Sequence, residues 1–129
     1  MRRRRLKEAS RVRQELQEAW QRMGALLGRL EGRGVLVRGT LYERRRRCGR
    51  RGCRCERGDL HISEAFSVSE AGKTRHLPLG GVNRERLREG VENYRTFRAA
   101  RRELRVACRR VLALADEMEQ LRCVPLEEL

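Results

Sequence analysis

Three of the chain's five cysteines fall within eight residues, Cys48, Cys53 and Cys55, and His61 follows six positions after the last. Thiolate and imidazole are the ligand types that Zn²⁺ prefers, and four of them close a tetrahedral site. Gly49 and Gly52 lie between the first two cysteines, where a tight chelate loop needs residues that tolerate positive φ. The order Cys-x4-Cys-x-Cys-x5-His is not one of the two-pair finger spacings. Ligands so clustered are nevertheless hard to account for as core cysteines. Cys48, Cys53, Cys55 and His61 are therefore read as ligands of a structural Zn²⁺, with Cys123 or a water as the alternative to His61. The competing readings are an exposed, reduced thiol cluster and a Cys48–Cys53 disulfide, the latter weakened by the lack of any secretory context.

The chain from Arg44 to Arg57 is densely cationic. Arg44, Arg45, Arg46, Arg47, Arg50, Arg51, Arg54 and Arg57 stand against a single acid, Glu56. Each guanidinium can meet a phosphate bidentately or reach a guanine edge, and phosphate contact is the more general expectation. A solvated basic surface that takes any polyanion at low salt is the plain alternative. Tyr42 and Phe66 are candidates for base stacking, although both are expected in the core of a small sheet. Arg2 to Arg5 look like a disordered basic arm.

Composition sets the partner class. A net charge of +14 on 129 residues points to an anionic partner, nucleic acid before anionic membrane. Lys7 and Lys73 are the only lysines among the 32 bases, a skew that a GC-rich genome also produces. The excess of bases over acids carries the inference; the choice of arginine does not. With 39% hydrophobic and 4% aromatic residues the core must be thin, so long helical seams or a metal staple have to supply part of the stability. No apolar run approaches the ~20 residues that span a bilayer. The arginines after Met1 have no apolar segment behind them, which argues against a signal peptide and for a cytoplasmic chain with reduced thiols.

The elements that must position these residues follow from periodicity. Over residues 1–34, a basic arm leads into an amphipathic helix with Ala9, Val12, Leu16, Ala19, Met23, Leu26 and Leu30 in alternating steps of three and four. Trp20 and Leu27 widen this stripe and are expected to pack, and Gly24 and Gly28 could admit a partner helix closely. Residues 35–81 read as a small antiparallel sheet: a strand over Val35–Tyr42, the Cys/His knuckle, then a hairpin turning at Glu70-Ala71-Gly72-Lys73. His76 is expected to face solvent, and Pro78 to lie at an edge or end. Residues 82–129 form a long amphipathic helix capped by Asn83 and ending before Pro125, with Leu87, Val91, Tyr94, Phe97, Leu104, Cys108, Val111, Leu114 or Ala115, Met118 and Leu121 on its stripe. Its distal half must find another surface, either the first helix as an antiparallel hairpin or a second copy of the chain. The fold class is α+β, two long amphipathic helices flanking a small three-stranded antiparallel sheet with a zinc-knuckle-like turn.

Signatures of catalysis are missing. There is no His-x-Glu with Pro-Cys-x-x-Cys as in zinc deaminases, no His-Glu-x-x-His, phosphate loop or Gly-x-Gly-x-x-Gly unit, and no Cys-x-x-Cys at a helix start. A non-enzymatic protein is expected.

Arg38-Gly39-Thr40-Leu41, Cys48-Gly-Arg-Arg-Gly-Cys-Arg-Cys, Gly58-Asp59-Leu60-His61, Gly72-Lys73-Thr74 and Glu92-Asn93-Tyr94-Arg95 occur here in order. In this the chain resembles a family of small uncharacterised bacterial proteins, over about residues 35–120. In that family an Arg-Gly-Ser-Leu strand precedes the same cysteine pattern, a hairpin and a long helix. The resemblance implies no established activity, only an association with mobile-element genes. The chain departs from it after the histidine, where Ile62-Ser-Glu-Ala-Phe66 replaces a Gly-Pro and a tyrosine run. The reading that results is a zinc-stabilised basic module for DNA or RNA, accessory to a nucleic-acid-processing system. A helical scaffold that forms a homodimer or binds a larger protein is the alternative, and a thiol redox sensor a third.

Overall fold

The computed structural model describes every residue from Met1 to Leu129. Its elements are α1 (Arg2–Leu30), β1 (Thr40–Arg46), a one-turn 3₁₀ helix (Arg54–Arg57), β2 (His61–Glu70), β3 (Lys73–Leu77), α2 (Arg84–Arg122) and a short 3₁₀ turn at Leu126–Glu128. The class is α+β, two long helices and a three-stranded antiparallel sheet of order β1-β2-β3. The chain divides into two compact units, Met1–Arg33 with Thr96–Leu129, and Gly34–Arg95. α2 contributes its distal part to the first and its beginning to the second.

In the helical unit the apolar stripes meet each other. Ala9, Val12 and Leu26 of α1 and Ala100 and Leu114 of α2 are buried, and the remaining seam residues of α1 are half-buried. Ion pairs record an antiparallel register: Arg11 with Glu117, Glu15 with Arg110 at 2.8 Å, and Arg22 with Glu103 at 2.8 Å. Leu114, not Ala115, takes the inward place.

Three expectations for α1 need correction. Arg2–Arg5 are not an arm but the first turn of the helix, helped by arginine's good helical propensity and the Arg4–Glu8 pair at 3.1 Å. Trp20 is 75% and Leu27 44% exposed, because each lies about 100° further round the helix than its seam neighbour, Ala19 or Leu26, and so off the seam. Gly24 and Gly28 have open space where a Cβ would stand, so they admit no close neighbour.

The sheet unit has a small core of Phe66, Leu79, Leu87 and Val91, with Val37, Leu41 and Val68 packed against it. Asn83 caps α2 through its Oδ1, which accepts from the Arg86 N–H at 3.1 Å. The strand expected over Val35–Tyr42 is displaced: β1 begins at Thr40 and runs through Arg46. Val35 to Gly39 instead lie along α2, where the Val37 N–H donates to Gly90 O at 2.9 Å and Asn93 Nδ2 donates to Val35 O at 3.2 Å. Gly90 makes this possible, since a Cβ there would sit 2.5 Å from Val37 Cγ2. The β2–β3 hairpin turns at Ala71 and Gly72, both at positive φ (51° and 76°), the signature of a two-residue turn matched to strand twist.

Register decides what each face carries. Leu41 pairs with Phe66 and Phe66 with Leu77, so Leu41, Glu43, Glu64, Phe66, Val68, Glu70 and Leu77 share the face packed on α2. Glu64 there meets Arg84 at 3.3 Å, and Arg88. Tyr42, Arg44, Arg46, His61, Ser63, Ser67 and His76 share the other face, on which no strand residue is acidic. Tyr42 and Phe66 are thus on opposite faces, and only Phe66 belongs to the core.

Candidate metal centre

β1 leaves the sheet at Arg46 and β2 returns at His61, directly opposite it. The fourteen intervening residues, 47 to 60, must therefore close on themselves. They do so through Gly49 and Gly52, both at φ 77°, the Cys53 N–H to Arg50 O bond at 3.4 Å, and the turn Arg54–Arg57, which ends at Gly58 in the left-handed region. Glu56 accepts from the Gly52 N–H at 3.3 Å, so one of the loop's two acids is used on the loop backbone.

This folding brings Cys48, Cys53, Cys55 and His61 together, with their ligand atoms all within 4.8 Å of one another. Cys48 Sγ and Cys55 Sγ are 3.6 Å apart, and Cys53 Sγ is 3.1 Å from His61 Nε2. A tetrahedral zinc site has S···S edges of about 3.8 Å and S···N edges of about 3.6 Å at ordinary bond lengths. The Cys48–Cys55 edge is close to this, the Cys53–His61 edge is shorter, and none of the remaining edges exceeds 4.8 Å. Backbone donors also point at the sulfurs: the Arg50 N–H reaches Cys48 Sγ and the Cys48 N–H reaches Cys55 Sγ, each at 3.5 Å. Such outer bonds stabilise thiolate and fix ligand direction. Cys55 is buried, Cys53 and His61 half-buried, and Cys48 exposed. Cys123, at the end of α2, is not in the cluster.

The thiols are unequal. The Cys55 backbone N–H, the two neighbouring thiols and His61 pull Cys53 down to about 6. At Cys55 the Cys48 N–H draws in the same direction, but burial and the adjacent thiols outweigh it and the group is raised. One sulfur is thus disposed to be thiolate before any cation arrives. Three sulfurs and a nitrogen, without a carboxylate, form a donor set consistent with a metal site.

The arginines divide. All eight are exposed, and only Arg54 has a carboxylate within reach, Asp59 at 3.6 Å. Arg44 and Arg46 lie on the acid-free face of the sheet, while Arg45 lies on the opposite one. Arg46, Arg47 and Arg50 line an open cleft of about 510 Å³ together with Cys48, Cys53, His61 and Ser63. Arg51 and Arg57 sit in the loop and 3₁₀ turn beyond it. The Tyr42–His76 pair was not legible as part of a surface; only the strand register places it there. Tyr42 Oη is 3.0 Å from His76 Nδ1, with the rings edge-on at 6.4 Å between centroids.

No protein-family model matches the chain, and no curated protein or solved structure matches it either. No helix is long and apolar enough to cross a membrane.

Proposed function

We propose that the protein is a non-enzymatic nucleic-acid-binding module in which Zn²⁺, held by Cys48, Cys53, Cys55 and His61, fixes a set of arginines. The observation that carries this reading is the convergence of the four ligand atoms within 4.8 Å, beside Arg46, Arg47 and Arg50. Zinc is favoured over other divalent ions by the soft S₃N donor set. With all four places filled by protein the ion has no open position, so its role is structural. The arginines have almost no acidic partners inside the protein, which leaves their charge for phosphates. An accessory role in a DNA- or RNA-processing system follows from such chemistry.

The test is metal content and salt dependence. Purified protein should carry one zinc per chain, and Cys55→Ser should carry almost none. Affinity for polynucleotide should fall with log salt at about −0.9 per neutralised phosphate on duplex DNA, or about −0.7 on single strands. Reversing Arg46, Arg47 and Arg50 to Glu should flatten that slope. Zinc-free protein as isolated from metal-replete cells, or no binding at physiological salt, overturns the reading.

A second reading, assembly through the helices, is favoured by one observation. Leu6, Trp20 and Leu27 are exposed on α1 in the same heptad place, the intervening place being Arg13. Self-association would move Trp20 fluorescence to the blue as concentration rises. A monomer at every micromolar concentration, with an unshifted spectrum, removes self-association.

A further inference from the structure

The sheet has one face packed on α2 and one face bare. On the bare face Arg44, Arg46, Ser63, Ser69, Thr74 and His76 are exposed, and the register puts no carboxylate among them. Glu43, Glu64 and Glu70, every acid of the three strands, point the other way. The charge presented is therefore of one sign. Tyr42, Arg44 and Arg46 follow one another at every second residue of β1, about 7 Å apart. The row runs on into the cleft lined by Arg46, Arg47 and Arg50.

Tyr42 and His76 are the only aromatic rings near the middle of that face. Their neighbours Ala65, Ser67 and Thr74 are small. The contact between Tyr42 Oη and His76 Nδ1, with the ring planes at 70°, holds each ring against the other. Aromatic rings held in place on a cationic surface lose little freedom when a flat partner settles on them. Flat partners with a free π-face, and phosphates at regular intervals, are what unpaired nucleotides supply. In a duplex the base faces are already stacked on one another.

We propose that this bare face is a platform for single-stranded nucleic acid, with bases stacked on Tyr42 and His76 and phosphates held by Arg44 and Arg46. The proposal rests on the nucleic-acid reading above and names its substrate class, unpaired strands. It extends the site from the metal-held loop to the sheet.

The experiment is fluorescence anisotropy of the zinc-loaded full chain at physiological salt. Its probes are a dT oligomer, a U oligomer and a hairpin duplex of equal phosphate number. Wild type should prefer one or both single strands to the duplex. Tyr42→Ala should weaken single-strand binding by roughly tenfold or more, the effect expected for losing one stacked base, and leave duplex binding unchanged. Tyr42→Phe, which keeps the ring, should retain most of the affinity, and so separates loss of stacking from a disturbed sheet. Photocross-linking from 5-iodouracil in the U oligomer should map to the Tyr42 peptide. Equal binding by wild type and Tyr42→Ala, or tighter binding to duplex, overturns the platform while leaving the nucleic-acid reading standing. No binding of wild type to any of the three probes ends both.

Discussion

The seam between the helices and the stretch from Arg44 to Arg57 treat the same residue, arginine, in opposite ways. In the helical unit Arg11, Arg22, Arg29 and Arg110 lie beside Glu15, Glu103 and Glu117, and their charge is largely spent along the seam between the helices. From Arg44 to Arg57, along the end of β1 and the loop that follows, seven of eight arginines have no acid in reach. The first arrangement is distributed, with apolar contact over many turns trimmed by surface ion pairs. The second is local: a few short strands, a four-residue core and a turn whose side chains mostly face water. Basic charge alone does not mark a binding surface. Unpaired charge also occurs on the helices, as at Arg101, Arg102 and Arg105; what sets the stretch from Arg44 to Arg57 apart is that it surrounds the Cys/His cluster.

The contrast breaks most readily at the Cys/His cluster. Chelation, or Cys55→Ser, should leave the circular dichroism of the helices nearly intact while amide hydrogen exchange across residues 47–60 becomes fast, because a structural ion's binding energy is local folding energy. A parallel loss of helical signal would show that stability is not partitioned in this way. Next in size is the seam. Leu114→Ala and Leu26→Ala should each destabilise the helical unit by about 2–5 kcal/mol in denaturant unfolding, without changing zinc content. The third effect is chemical. With Cys53 lowered to about 6, metal-free protein should be alkylated there first at neutral pH, and the rate should fall as pH drops through 6 and the thiolate is protonated. Cys55, raised and buried, should lag, and zinc should protect both. Smallest is the ion-pair ladder. Glu103→Gln removes the partner of Arg22 and Arg29, all half-exposed. It should cost less than about 1 kcal/mol, with the difference vanishing in high salt.

The helices were legible because their signal is repetitive. Residues from Ala9 to Leu30 and from Leu87 to Leu121 keep a 3.6-residue period over many turns, and the predicted stripes are the sides that became covered. Trp20 was misread because a single large apolar residue beside a stripe looks like part of it, although one residue's rotation carries it into solvent. The Cys/His cluster was legible from residue type and proximity in sequence, with His61 six residues after the last cysteine. The course of β1 was not. Val35-Leu-Val looks more like a strand than Glu43-Arg-Arg-Arg does. Yet the missing side chain of Gly90 lets Val37 dock on α2, and the return of the chain at His61 draws Arg44–Arg46 into pairing. Which arginines converge, and on which face Tyr42 stands, depend on that register, and no local pattern reports it.

The segregation of acids to one side of the sheet reaches beyond contact distance. A polyanion drifting toward the bare side meets a potential of a single sign, whereas from the α2 side carboxylates and guanidinium groups largely cancel. The torque this difference exerts turns the molecule before collision, so the encounter rate should rise steeply as ionic strength is lowered, even for partners that bind with little discrimination.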